Sequence, residues 1–213
     1  MKSAIVIFFR VFIVLCLAIA GLTVDADSAP VSQQNWGLIY VDSQEVVGED
    51  GRGVNAFDGD PATIWHTEWK NSKPAHPHEI QIDLGETYEL ESFHYLPRQG
   101  DNVNGRIKDY RLYVSDSFSN WGVPVVSGSF PNTANEQIVL FSSLPIGRYL
   151  RLVALSEVNG QPFTALSEIN FMGRIFDGNL PPRGTIDNPT QNVTTVSYTH
   201  LTLPTTIPSW RYG

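Results

Sequence analysis

Three separated stretches of the chain carry side-chain types that suit recognition of a hydroxylated ligand. Trp65–Trp69 contains a histidine between two tryptophans, a second stretch contains Arg98 and Asn104, and Phe163 follows an Asn-Gly-Gln-Pro turn. Sugars present apolar CH faces edged by hydroxyls. A protein holds them with an aromatic ring against the CH face and planar donors and acceptors on the hydroxyls. The residue types therefore make a sugar site one candidate.

Each of these residues also has a simpler structural explanation, which the residue types leave open. Trp65 fits a buried core position, and Arg98 could form a surface ion pair with Asp101 or Glu91. Asn104 precedes a glycine and could belong only to a hairpin turn.

A second cluster is rich in oxygen donors. Asp58, Asp60 and Thr63 lie in one turn that also contains a glycine and a proline. Ca²⁺ takes about six to eight oxygen ligands, and carboxylates two residues apart in a tight turn can converge on one ion. An EF-hand is excluded, since Thr63 and Trp69 stand where that loop requires glycine and glutamate. The alternative is a solvated turn in which Asp58 caps its own backbone.

No catalytic motif accompanies these clusters. The sequence contains no Gly-x-Ser-x-Gly elbow, zinc signature or phosphate loop. Glycoside hydrolysis needs two carboxylates across the scissile bond, and the acidic turn around Asp58 is better explained by a cation. His66 near Glu68 could be drawn as a base with a helper, but nothing supplies a nucleophile. The sequence therefore predicts a chain that is not itself an enzyme.

The elements that would position both clusters are short β-strands. In His78–Gly85 the apolar residues Ile80, Ile82 and Leu84 alternate with polar ones and share one face. Further strand candidates are Glu91–Leu96, Tyr110–Val114, Gln137–Phe141, Arg148–Val153 and Ser167–Met172. Turn residues separate these segments, and no long stretch has helical periodicity. The pattern predicts an all-β, antiparallel sandwich or barrel, and the roughly 140 residues involved are enough for one core.

The two ends of the chain differ from this region. Residues 1–29 combine a basic start, an apolar run and an Ala-Ile-Ala sequence, which predict a secretory signal peptide and a short following segment. Arg10 interrupts the run, so an uncleaved anchor stays open. Residues 177–195 predict a linker and the start of a truncated immunoglobulin-like domain, and residues 196–213 a non-native, adapter-derived or disordered tail. The folded domain is therefore expected at residues 30–176.

Composition limits the partners and the compartment. The formal charge is −8 with no basic block, which argues against nucleic acid and against an anionic membrane surface. Cys16 is the only cysteine and lies in the signal segment, so the mature domain has no disulfide. Small exported animal domains often carry disulfides, so the composition favours a bacterial protein that is secreted or at the cell surface.

Four ordered blocks resemble the discoidin family, also called coagulation factor 5/8 C-type domains. Within it they are most similar to the family-32 carbohydrate-binding modules of bacterial glycosidases. The blocks are Asn55–Thr67, Pro77–Gly85, Pro97–Tyr110 and Phe163–Ile169. The resemblance implies a galactose-binding-domain-like fold, an antiparallel jelly-roll β-sandwich of about eight strands with binding loops at one end.

The resemblance also implies a structural Ca²⁺ ion. Its expected ligands are oxygen donors from the first loop and the last strand: Asn55, Asp58, Asp60, Thr63, Ser167 and Glu168. Backbone carbonyls are expected from Asn55 and Ser167, and both oxygens from Thr63. Such an ion would clamp the two ends of the domain together.

For the ligand, resemblance to galactose-binding members implies a site made by four residues: His66, Arg98, Asn104 and Phe163. His66 would meet the axial 4-hydroxyl, and Phe163 would stack on the apolar face of the ring. Arg98 and Asn104 would reach the 3- and 4-hydroxyls. Glu68 and Trp69 lie beside His66 and are expected to extend the site.

The expected function is therefore non-catalytic carbohydrate binding, for terminal galactose or N-acetylgalactosamine type sugars. The module would be monomeric, without membrane insertion after signal cleavage, and part of a larger secreted protein such as a glycosidase. The alternative is an adhesion or scaffold module that binds a protein or glycoprotein at the cell surface. Phospholipid-binding members of the family have a disulfide and apolar spike loops, and this chain has neither.

Overall fold

The computed structural model describes residues 28–178, which form β-strands and two short 3-10 helices, Gln33–Asn35 and Gly53–Phe57. The strands are β1 (Ala29–Pro30), β2 (Gly37–Val41), β3 (Trp65–His66), β4 (His78–Pro97), β5 (Asp109–Ser115), β6 (Val126–Ser129), β7 (Gln137–Leu140), β8 (Ile146–Ala154) and β9 (Ala165–Ile175). No helix in this range is long and apolar enough to cross a membrane. The predicted signal peptide, immunoglobulin-like segment and tail lie outside the described residues.

Strand β4 passes from one layer of the sandwich to the other. Up to Asp83 it pairs with β2 and β8, and from Tyr88 onward it pairs mainly with β9 and β7. The register with β8 shifts between these two residues, around Gly85, whose φ is 83°. A Cβ at Gly85 would lie 2.9 Å from the Asn35 carbonyl oxygen, so glycine permits both the bend and the close approach. The two strands predicted for this region are therefore one bent strand.

All strand pairs are antiparallel, in the order β1-β9-β4-β8-β5-β6, with β2 and β7 on β4 and β3 on β9. The predicted alternation is confirmed, since Ile80, Ile82 and Leu84 are at most 1% exposed. The all-β, antiparallel sandwich is also confirmed. Nine strands occur where about eight were expected, because β1 and β3 are separate two-residue strands.

Aromatic rings join the two layers in the core. Tyr110 and Phe130 stack with centroids 4.1 Å apart, and Phe130 stacks in turn on Tyr95 at 4.5 Å. Trp65 is fully buried and donates from Nε1 to the Ser43 carbonyl at 2.9 Å. Trp65 is therefore a core residue, and it holds the adjacent His66 in place from behind.

Candidate functional site

A cavity lies between the loops that follow β3 and β4 and the loop that precedes β9. β4 ends at Pro97 opposite Leu166, and β3 pairs with the same part of β9, so these loops emerge at one end of the sandwich. The cavity has a volume of about 360 Å³, a size suited to a small ligand. Its lining residues are Glu49, His66, Trp69, Lys73, Arg98, Asn102, Asn104 and Phe163.

The cavity brings together five of the six residues expected to bind ligand: His66, Trp69, Arg98, Asn104 and Phe163. Glu68 is not among the lining residues, and its carboxylate accepts a hydrogen bond from the Ser72 hydroxyl at 2.6 Å. The surface ion pair considered for Arg98 is absent from the described part of the chain. Its guanidinium therefore remains available to a ligand.

Three lining residues, Glu49, Lys73 and Asn102, were missed by the sequence reasoning. Glu49 and Asn102 lie in runs that were interpreted only as turns separating strands. Lys73 stands in a loop with no strand pattern, and its Nζ lies 6.0 Å from the centroid of the Phe163 ring. Only the closeness of the loops in space assigns these side chains to the cavity.

His66 offers one ring nitrogen to a ligand as a hydrogen-bond acceptor. Its Nδ1 lies 2.6 Å from the Thr67 carbonyl oxygen, which can only accept, so Nδ1 carries the proton. Burial lowers the pKa of His66, although the Thr67 carbonyl acts in the opposite direction, so the ring is neutral at pH 7. Nε2 of the neutral ring therefore has a free lone pair for a hydroxyl.

Two aromatic side chains supply the apolar part of the cavity. The Phe163 ring lies 5.7 Å from the His66 ring, centroid to centroid, and is half-buried. Trp69 donates from its indole Nε1 to the Glu49 carboxylate at 2.8 Å. A Cβ at Gly48 would lie 2.5 Å from the Trp69 ring, so a larger residue there would displace the indole. An apolar surface and directed polar groups thus face one volume.

Glu45 holds two of the site loops together. Its buried carboxylate accepts from the backbone N–H groups of Val47 and Gly48, both at 2.7 Å, and of Trp69 and Lys70 at 2.9 and 2.8 Å. Burial acts to raise the pKa of Glu45, but the four N–H donors outweigh it and lower the pKa to about 2. The carboxylate is therefore charged at neutral pH and fixes Glu49 beside Trp69.

His78 fixes the loop that carries Phe163. Its Nδ1 lies 2.7 Å from an Asp42 carboxylate oxygen, and its Nε2 lies 2.9 Å from the Pro162 carbonyl. Both partners accept, so both ring nitrogens donate and the ring carries a positive charge. Burial acts to lower the pKa of His78, but Asp42 and the Pro162 carbonyl raise it above its usual value. The charged ring thus ties Pro162, the neighbour of Phe163, to β4.

Two further buried charged residues hold the remaining loops. Arg106 donates to the carbonyls of Arg98 and Gly100 at 3.1 and 3.3 Å, which positions the segment that presents Arg98. Glu157 accepts from the backbone N–H of Asn159 at 2.6 Å and shapes the turn before Phe163. The cavity is therefore supported by side chains that do not line it.

The acidic turn and the last strand meet in the way that the expected calcium site requires. Glu168 of β9 is 4% exposed, and its Oε2 accepts from the Gln33 amide at 3.1 Å. Its Oε1 is buried and has no hydrogen-bond partner. Burial, and to a smaller degree the adjacent Asp58 carboxylate, raise the pKa of Glu168 to about 7. A buried carboxylate oxygen beside a second carboxylate is a position that a cation would stabilise.

The capping alternative for Asp58 is also visible in the turn. Asp58 Oδ1 accepts from the Asp60 N–H at 2.9 Å, and the Thr63 hydroxyl donates to the same carboxylate at 2.8 Å. Within residues 28–178, no group of three or more histidine, cysteine or acidic side chains is arranged to hold a metal. The expected set instead adds carbonyl and hydroxyl oxygens to its carboxylates, which fits Ca²⁺ and not a transition metal.

Comparison with known sequences decides the family. The family described as F5/8 type C domain matches residues 41–169. The chain belongs to this family. Two curated relatives are a sialidase from Micromonospora viridifaciens, 39% identical over 145 residues, and a galactose oxidase from Gibberella zeae, 39% identical over 149 residues. The alignments cover 68% and 67% of this chain but only 22% and 21% of those proteins, so the chain spans about a fifth of their length.

Solved structures of carbohydrate-binding modules resemble this F5/8 type C domain. One is the module CpGH89CBM32-5 from Clostridium perfringens in complex with GalNAc-β-1,3-galactose, at 32% identity and a TM-score of 0.61. Another is the family 32 module of C. perfringens NanJ in complex with galactose, at 26% identity and a TM-score of 0.59. They are covered over 99% and 98% of their length by 67% and 68% of this chain, so the similarity extends over whole modules.

Proposed function

We propose that this F5/8 type C domain is a non-catalytic carbohydrate-binding module for galactose or N-acetylgalactosamine type sugars. The observation that carries the proposal is the cavity that unites His66, Arg98, Asn104 and Phe163. Relatives whose structures contain galactose and GalNAc-β-1,3-galactose support the same ligand class.

The proposed roles follow from the chemistry of the cavity. Phe163 offers its ring face to the CH face of the sugar, and Trp69 closes the opposite side. The neutral His66 ring accepts from a hydroxyl, while the unpaired Arg98 guanidinium donates to neighbouring ones. No described residue of the cavity forms the pair of opposed carboxylates that hydrolysis of a glycosidic bond requires, since Glu49 is its only acidic lining residue.

Calorimetric titration with methyl β-galactoside tests this proposal, with methyl β-glucoside as the comparison for the orientation of the 4-hydroxyl. His66→Ala and Arg98→Ala should each weaken galactoside binding by about tenfold to a hundredfold, because each removes hydrogen bonds inside the cavity. Arg111→Ala is the matched control, since Arg111 is exposed on β5 and does not line the cavity. Undiminished binding in both site variants, with the fold retained, would contradict the proposal and favour a protein ligand.

We also propose a structural Ca²⁺ ion held by the oxygens of Asn55, Asp58, Asp60, Thr63, Ser167 and Glu168. The buried, unpartnered Oε1 of Glu168 beside the Asp58 carboxylate is the observation that supports it. Bound Ca²⁺ would stabilise the folded state by mass action. Scanning calorimetry should therefore show a lower Tm after chelation in the wild type but not in Glu168→Gln. A Tm that chelation leaves unchanged in the wild type would refute the ion.

For the whole protein, we propose a longer exported enzyme that acts on glycans and uses this module to stay on its substrate. The module's share of about a fifth of the sialidase relative supports this arrangement. Export through the predicted signal peptide and a monomeric state belong to the same proposal. Sequencing the intact gene beyond residue 195 tests it, and a gene that ends without a further folded domain would contradict it.

A further inference from the structure

A second hollow adjoins the proposed sugar cavity. It has a volume of about 410 Å³, comparable to the 360 Å³ of the cavity itself. Glu49 and Arg98 line both volumes, so the two are neighbours separated only by these side chains. The far wall of the hollow is the segment Pro61–Ile64, and Asp50 and Gln99 form the other sides. A ligand that fills the cavity therefore has an unobstructed neighbouring volume of similar size.

The walls of the hollow have the chemistry that a pyranose ring needs. Pro61, Ala62 and Ile64 present apolar surface, against which the CH face of a sugar can pack. Arg98 has five N–H donors in a planar fork and no ion pair among the described residues. One ring in the cavity cannot occupy all five donors, because the fork also faces the hollow. Arg98 and Glu49 are thus placed to bind hydroxyls on both sides of a glycosidic bond.

We propose that the cavity and the hollow are two subsites of one glycan site, and that the ligand is a galactose-containing disaccharide or longer chain. This inference rests on the proposed function and narrows its ligand class. The second ring packs on Pro61–Ile64, and the guanidinium of Arg98 is shared between the rings. Binding of a single galactose leaves the hollow to water and part of the Arg98 fork without a ligand partner.

Calorimetric titration of the wild-type chain tests the second subsite, using methyl β-galactoside, galactose-β-1,4-glucose and GalNAc-β-1,3-galactose. These disaccharides place galactose at either end, so the test does not depend on the direction of the chain. At least one should bind about fivefold to tenfold more tightly than the monosaccharide, since the second ring adds a hydrogen bond and apolar contact. Equal affinity for all three would overturn the second subsite while leaving the proposed function intact.

Two variants should remove that gain without touching the cavity. Ala62→Trp fills the hollow from an exposed position on its far wall, and Gln99→Trp fills it from the other side. Either should reduce disaccharide affinity to that of the monosaccharide, with methyl β-galactoside binding changed less than twofold. Val123→Trp, an equally bulky change at an exposed site away from both volumes, should keep the gain. A gain that persists in both hollow variants would overturn the subsite, and failure of every galactoside to bind the wild type would overturn the proposed function as well.

Discussion

Gly105→Ala should damage stability and ligand binding together, because this glycine lies where two loops of the site touch. Gly105 has a φ of 91°, and a Cβ there would lie 2.6 Å from both the Cβ and the backbone nitrogen of Ala165. The Ala165 N–H donates to the Gly105 carbonyl at 2.7 Å. Gly105 follows Asn104, and Ala165 stands two residues after Phe163, so forcing the backbones apart separates two residues of the cavity.

The magnitude has two parts. An alanine held at a positive φ costs about 1–2 kcal/mol, because its Cβ approaches the following carbonyl. The contact with Ala165 involves backbone that cannot rotate away, and such overpacking typically costs about 1–3 kcal/mol. Together they lower the free energy of unfolding by roughly 2–5 kcal/mol. At about 2–4 °C per kcal/mol for a domain of this size, the Tm should fall by roughly 10 °C.

Gly122→Ala separates the two parts of this cost. Gly122 also has a positive φ, of 60°, but a Cβ there would meet nothing within 4 Å. It should lose only the backbone contribution of about 1–2 kcal/mol and keep its galactoside affinity. Urea titration followed by tryptophan fluorescence gives both free energies, and calorimetric titration gives the affinities. Equal destabilisation of the two variants, with equal affinity, would refute the close packing of Gly105 on Ala165.

Three further predictions concern buried polar groups. Because the pKa of Glu45 is lowered to about 2, its stabilisation is complete above the usual value of 4.5 and is lost as the pH falls toward 2. The Tm of Glu45→Gln should therefore approach that of the wild type in acid, and parallel Tm curves would contradict this. The raised pKa of His78 means that its stabilisation is complete below pH 6.5 and is lost as the pH rises through the raised value. In Asp42→Asn the alkaline fall in Tm should begin at lower pH, and an unshifted profile would show that Asp42 does not hold the charge. Tyr95→Phe leaves the buried Ile107 N–H without the phenolic oxygen 2.9 Å away, and should lower the free energy of unfolding by about 1–3 kcal/mol in urea, whereas no change would indicate a replacement acceptor.

The strands were predictable where burial alternates along a single strand. Ile80, Ile82 and Leu84 share a face because successive side chains in any strand point to opposite sides, whatever its partners are. The same local rule does not show where a strand bends between layers. His78–Pro97 is one strand because Gly85 permits the bend and the flanking halves find different partners.

The ligand site was predictable to the extent that its residues belong to recognisable blocks. Five of the expected residues line one cavity, among them His66 and Arg98. Glu68 was grouped with them only because it is adjacent in sequence, and it instead accepts from Ser72. Adjacent residues in an extended segment point in different directions, so closeness along the chain does not imply a shared site.

By itself the sequence determined the all-β class, the face of each strand that is buried, and the separation of acidic oxygens from aromatic and cationic side chains. These are local properties, set by residue type and by a period of about two residues. The tertiary structure decided which loops share a cavity, and it added Glu49 to that cavity. It also decided that Glu45 and His78 support the loops, because their partners lie more than 20 residues away along the chain. Contacts over that separation depend on how the strands pair, which no local pattern specifies.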